Sequence, residues 1–163
     1  MASELRVDRI IPTTGVPSGG GGGLIQTIYS TSTDHKTTTS TSWTSLSWSL
    51  SITPKFTSSL ILIQFQGLGQ QVNTNTAFSC ITVYKNGSTN LGHSNLGLGC
   101  VGDVNGSGGV YVTASNSFAV FDAPNTTSSV SYGLYGRLSG TSGTAYPIHG
   151  NCRNTFILME ISA

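Results

Sequence analysis

Residues 45–52 read SLSWSLSI, and this alternation decides the fold class. Leu46, Trp48, Leu50 and Ile52 point one way, while Ser45, Ser47, Ser49 and Ser51 point the other. A period of two is that of a β-strand with one face in a core and one in water. Pro54 ends the strand, because proline cannot donate to a ladder. Working outward, residues 60–66 (LILIQFQ) are apolar on both faces and predict a central strand. Residues 77–84 (AFSCITVY) run into Lys85-Asn86-Gly87-Ser88, and Asn-Gly is a strong hairpin signal because both residues tolerate positive φ. Residues 117–121 form a further strand, closed by a turn that Asp122 starts. Residues 130–138 alternate with Val130, Tyr132, Leu134 and Leu138 on one face. Residues 24–29 open the series and residues 155–161 (TFILMEI) close it. No stretch carries a helical period for more than a turn. Seven or eight short strands between Gly, Asn, Ser and Pro clusters predict an all-β chain, a jelly-roll-like antiparallel β-sandwich. The glycine-rich residues 86–109 read as long loops around at most one short strand.

Composition narrows the partners. Of 163 residues, 24 are serine and 22 threonine, while only 8% are charged, against roughly 25% in an average domain. The surface is therefore built from hydroxyls. A net charge of +1 provides no basic stripe for nucleic acid. The longest aliphatic run, Leu60 to Ile63, is far too short to insert into a membrane. No apolar stretch follows the charged N-terminus, so a secretory signal is not expected. Cys80, Cys100 and Cys152 cannot all pair within one chain and form no C-x-x-C, which suggests assembly in a reducing cytoplasm.

Charge is also unevenly distributed. Glu4, Arg6, Asp8 and Arg9 fall within the first nine residues, and only nine charges occupy residues 24–163. Three regions follow: an extended arm over residues 1–18, a glycine hinge over residues 19–23, and a β-sandwich body over residues 24–163. In the arm, Leu5, Val7, Ile10 and Ile11 are interleaved with Arg6, Asp8 and Arg9, and Pro12 blocks a continuing helix. As a coil, the five glycines span on the order of 12 Å. The arm reads either as a disordered terminus or as a peptide that docks on a partner.

Catalytic and metal-binding signatures are not found. Neither glycine run is followed by a phosphate-binding lysine, and no G-x-S-x-G or H-E-x-x-H occurs. The body offers Asp34, Asp103, Asp122 and Glu160, with Asp122 read as a turn residue and Glu160 as facing an edge or a partner chain. His35, His93 and His149 lie far apart in sequence. His93 repeated around a three-fold axis is the one route to a metal site, and neither metal nor cofactor is expected. Among the aromatics, Trp48 belongs to the core. Trp43 and Tyr135 have the opposite parity to their strands' apolar residues, which suits a subunit interface or a glycan-binding surface.

Residues 3–26, SELRVDRIIPTTGVPSGGGGGLIQ, resemble the N-terminal segment of virion structural and tail-fibre-like proteins from tailed phages of marine cyanobacteria and related bacteria. The body is similar in shorter strings: SITPKFTSSLILIQF, VYKNGS, SFAVFDAPNTTSSVSYGLY and TFILMEI. The resemblance implies a non-enzymatic particle component, assembled in the host cytoplasm. It would be a homo-oligomer, a trimer by preference, anchored to other virion proteins through Leu5 to Pro12. An appendage or fibre, a capsid decoration or head fibre, and a glycan-binding receptor module are the forms to weigh. An enzyme is not expected.

Overall fold

A computed structural model describes residues 23–73, 77–103, 110–140 and 143–162, and every regular element within them is a strand. The predicted arm, and all of the hinge except Gly23, lie outside the described residues. The strands are β1 (Leu24–Ser32), β2 (Lys36–Thr38), β3 (Thr44–Ile52), β4 (Leu60–Gln66), β5 (Leu68–Asn73) and β6 (Ala77–Lys85). They continue as β7 (Thr89–Asn90), β8 (Gly99–Asp103), β9 (Val110–Ser115), β10 (Phe118–Asp122), β11 (Val130–Leu138), β12 (Thr144–Ile148) and β13 (Asn154–Ile161).

Three antiparallel ladders form, in the orders β1-β13-β4-β10, β2-β12-β5-β9 and β3-β11-β6, with β7 and β8 both on β6. The first two share one order because they are successive halves of the same four chain segments. β1 leads to β2, β4 to β5, β9 to β10 and β12 to β13. Numbering the eight spans along the chain, the bent sheet runs 1-8-3-6 and the facing sheet 2-7-4-5. This is the double Greek-key order of a jelly roll.

At the bend, backbone groups that leave one ladder need other partners. Asn154, fully buried, accepts the Leu68 N–H at 3.1 Å and donates to the His149 carbonyl at 3.0 Å. The Asn116 N–H donates to Gly67 O, and its side chain donates to Pro147 O at 3.0 Å. Gly67 is required here, since a Cβ at this position would overlap Asn154 Oδ1 and the Phe65 ring.

The core lies between the sheets. β4 contributes Ile61, Ile63 and Phe65, β13 contributes Phe156 and Leu158, and the facing sheet contributes Leu46, Trp48, Ile52, Ile81, Val83 and Leu134. Trp48 meets Phe65 and Phe156 edge-on at 6.1 Å each. Each such burial stabilises by about 1.5–3 kcal/mol, and each aromatic pair adds roughly 1 kcal/mol.

The serine strand departs from perfect alternation. Gly133 pairs with Ser49 and Tyr135 with Ser45, so the register shifts between them, and Ser47 takes φ 54°. This is a β-bulge on an edge strand. The Asn-Gly turn forms as expected, with Asn86 at φ 49° and Gly87 at φ 68°.

Residues 86–109 hold two strands rather than one at most. β8 pairs with β6 so that Cys100 stands directly opposite Cys80, and the two form a disulfide. Two of the three cysteines are thus paired, and Cys152 is free. Asp122 is not a turn residue in the sense expected. Its carboxylate accepts the Tyr132 hydroxyl at 2.7 Å and pairs with the Lys85 ammonium at 2.9 Å. Burial and this carboxylate together push the Tyr132 hydroxyl pKa far up.

Candidate functional site: the outer face of the β1-β13-β4-β10 sheet

The second face of β4 has no partner within the described residues. Its inward residues Ile61, Ile63 and Phe65 are fully buried, whereas Leu60, Leu62 and Gln64 point away from the core. Register extends this outer face across all four strands. One rung runs Leu24–Ile161–Leu60. The next runs Thr27–Met159–Leu62–Phe121, and the third Tyr29–Ile157–Gln64–Ala119. Leu24, Tyr29 and Phe121 are 62%, 68% and 59% exposed, and they frame the half-buried aliphatic centre. None of these side chains is charged. Isolated exposed apolar residues are ordinary, but three consecutive rungs, one across three strands and two across four, make a patch of the kind that marks an interaction surface.

The opposite side of the molecule differs. On β3, the outward Ser45, Ser49 and Ser51 are exposed, so this edge of the 2-7-4-5 sheet presents hydroxyls.

Glu160 lies in β13 among the rungs but points inward, with 0% exposure, rather than to an edge or a partner. Its carboxylate accepts the Ser59 hydroxyl at 2.7 Å, the Lys55 N–H at 2.6 Å and the Gln26 amide at 2.5 Å. Burial alone would raise its pKa. Hydrogen bonds from Ser59, Gln26 and the Lys55 and Phe56 backbone outweigh burial and hold the pKa below the ordinary value. Glu160 thus ties the β3–β4 loop to the last strand, beneath the apolar face.

Trp43 and Tyr135 lie on the outer side of the serine sheet, as their parity indicates, but both are half-buried. The Trp43 indole N–H donates to Ser94 O at 2.7 Å and its ring lies 5.7 Å from the Arg137 guanidinium, which pins the 91–98 loop to the sheet. Tyr135 stacks on Tyr84 at 4.2 Å.

His93 spends its Nδ1 on the N–H groups of Asn95 and Leu96, both at 3.2 Å, and so organises its own loop. His35 and His149, far apart in sequence, meet edge-to-face at 4.6 Å. Each accepts a backbone N–H at Nδ1, from Gly150 and Asn151 respectively. Next to them, Thr31, Ser32, Thr33, Asp34 and Arg153 line a polar recess of about 320 Å³. Among the described residues, no three potential metal ligands come together. No helix among them is long and apolar enough to cross a membrane.

Burial, helped by the neighbouring His35, lowers the His149 pKa below the ordinary 6.5. The unfolded chain then takes up a proton that the native state resists, so stability falls as pH drops below 6.5. Glu160 acts in the same direction at lower pH. Its native charge is favoured, so its contribution is lost as pH falls below 4.5 and through the native pKa. Thermal unfolding followed by circular dichroism should give a midpoint that is flat from 6.5 up to the onset of tyrosine ionisation and falls in two stages below 6.5. His149→Gln should remove the upper stage, and persistence of that stage would assign it elsewhere.

No protein-family model matches the chain, and no curated protein matches it.

Proposed function

We propose that the chain is a non-enzymatic structural protein of a tailed-phage particle, an appendage or fibre component. Its jelly-roll body is held on the virion by the arm, residues 1–18. The observation that carries this reading is the charge-free apolar outer face across Leu60, Leu62, Ile157, Met159 and Ile161, which is suited to burial against protein. The hydroxyl-rich opposite sheet and the resemblance of residues 3–26 also support it. In the arm, Leu5, Val7, Ile10 and Ile11 dock in a groove or add a strand to a partner sheet, Arg6, Asp8 and Arg9 set register, and Pro12 ends the docked stretch.

Deleting residues 1–18 should leave a folded body that no longer enters particles, as read by mass spectrometry of purified virions. Undiminished incorporation of the truncated chain would remove the docking role. Labelling the C-terminus and imaging particles separates an appendage from a capsid decoration or head fibre: signal on the shell decides for decoration.

One observation favours a second reading, in which the body recognises host glycans. The Tyr84–Tyr135 stack stands beside the exposed serines of β3, combining a flat apolar surface with hydroxyl partners. Binding of the body on a glycan array, abolished by Tyr135→Ala, would establish it, and silence across host glycans would discard it.

A further inference from the structure

We propose that residues 91–98 form a redox-latched strap, held across the outer side of the β3-β11-β6 sheet by the Cys80–Cys100 disulfide and released when that bond is reduced.

Burial reveals the strap. Tyr135 pairs with Thr82 and Arg137 with Cys80, and directly opposed residues share a face, so Thr82 and Cys80 point away from the core. Both are nevertheless fully buried. The cover is the chain between β7 and β8. The Leu91 N–H donates to Val83 O and the Leu98 N–H to Ile81 O, both at 2.9 Å, so the segment leaves and rejoins β6 on either side of Thr82. At its start, Asn90 Oδ1 accepts the Thr82 hydroxyl at 2.7 Å and the Gly92 N–H at 3.0 Å. Farther along, Ser94 O takes the Trp43 indole N–H, and Leu96 O stands 3.0 Å from Cys100 Sγ. Gly97, at φ 66°, lies so close to the Trp43 ring and Ile81 O that a Cβ would overlap both.

The latch is at the return limb. Among the described strands β8 pairs only with β6, and the disulfide joins that pair at Cys100, two residues past Leu98. With the bond closed, β8 cannot peel away, and the strap can open only as a loop tethered at both ends. With the bond open, β8 is free to fray as marginal strands do, and the opened loop gains chain entropy.

Cys80 is fully buried and Cys100 half-buried, so a dithiol reductant attacks the Cys100 sulfur. The Cys80–Cys100 bond breaks, a mixed disulfide forms at Cys100, and Cys80 leaves as a thiolate that takes up a proton. The second thiolate of the reductant then closes its own disulfide and releases Cys100, which is also protonated. The protein gains two electrons and two protons, and the dithiol is oxidised. Closed, this side of the body shows the exposed Leu96; open, it shows Thr82, the Trp43 ring and the Arg137 guanidinium.

The test is hydrogen exchange read by mass spectrometry on the full-length chain, oxidised and after dithiothreitol. Reduction should speed exchange at the Leu91, His93, Gly97 and Leu98 amides by roughly tenfold or more, while β4 and β13 amides stay protected through the same labelling period. Reoxidation in air should restore the slow rate. The variant Cys80→Ser, Cys100→Ser should match the reduced chain with or without reductant. Acrylamide should quench the reduced wild type more strongly, a change absent from Trp43→Phe. Equal exchange in the two redox states would overturn the inference. So would strap amides that open only together with β4 and β13.

Discussion

Glu160→Ala is expected to lower the unfolding free energy by about 3–5 kcal/mol. The change strands the buried Ser59 hydroxyl and the partly buried Lys55 N–H, while the Gln26 amide keeps its bond to Thr53 O. Each buried donor left without an acceptor costs about 1–3 kcal/mol. Some of that cost is relieved if the β3–β4 loop opens to water, which holds the sum to a few kcal/mol. Glu160→Gln keeps one carboxamide oxygen but turns the other position into a donor facing donors. It should therefore fall between wild type and alanine. For a domain of this length, the alanine variant should lose roughly 10 °C in melting midpoint. Urea titrations of the three proteins would show the order. A loss under about 1 kcal/mol for Glu160→Ala would mean that the carboxylate does not anchor the loop.

Replacing Cys80 and Cys100 together by alanine should cost about 3 kcal/mol, the chain entropy regained when a loop of roughly twenty residues is released in the unfolded state. The two residues are 20 apart in sequence and directly opposed on β6 and β8. The bond thus fastens a strand that otherwise adds one ladder at the sheet's margin. Thiol titration of the denatured chain should find one reactive cysteine before reduction and three after it. Reducing agent should lower the wild-type midpoint to that of the double variant and leave the variant unmoved. Three reactive thiols before reduction in protein exposed to air would show that the pair does not close.

Where one strand face meets the core and the other meets water, the residues announce their structure. The serine strand, residues 130–138 and the terminal TFILMEI are legible for this reason. So is the doubly apolar LILIQFQ, which supplies both the core positions and the outward, half-buried rung positions of β4. β2, β5 and β12 escaped because they are the far halves of bent strands. Strings such as LGQQVN carry no period. The inward orientation of Glu160 is not legible in sequence, because its three partners, at positions 26, 55 and 59, are distant along the chain and join only through register. The Cys80–Cys100 pairing had the same source, since the offset between β6 and β8 is set across a glycine-rich loop with no pattern of its own. The His35–His149 contact likewise depends on the bend that brings β12 beside β2.

The bulge at Ser47 bears on what can pair with the edge of its sheet. β3 is the free margin of the hydroxyl sheet, and a flat free margin is a template on which another chain can add strand after strand. With Ser47 at φ 54° and the ladder offset around it, that margin is bent and its unpaired groups are out of step with an incoming strand. The serine margin is therefore a poor template for an added strand, and the Ser47 bulge guards this edge of the body against edge-to-edge pairing.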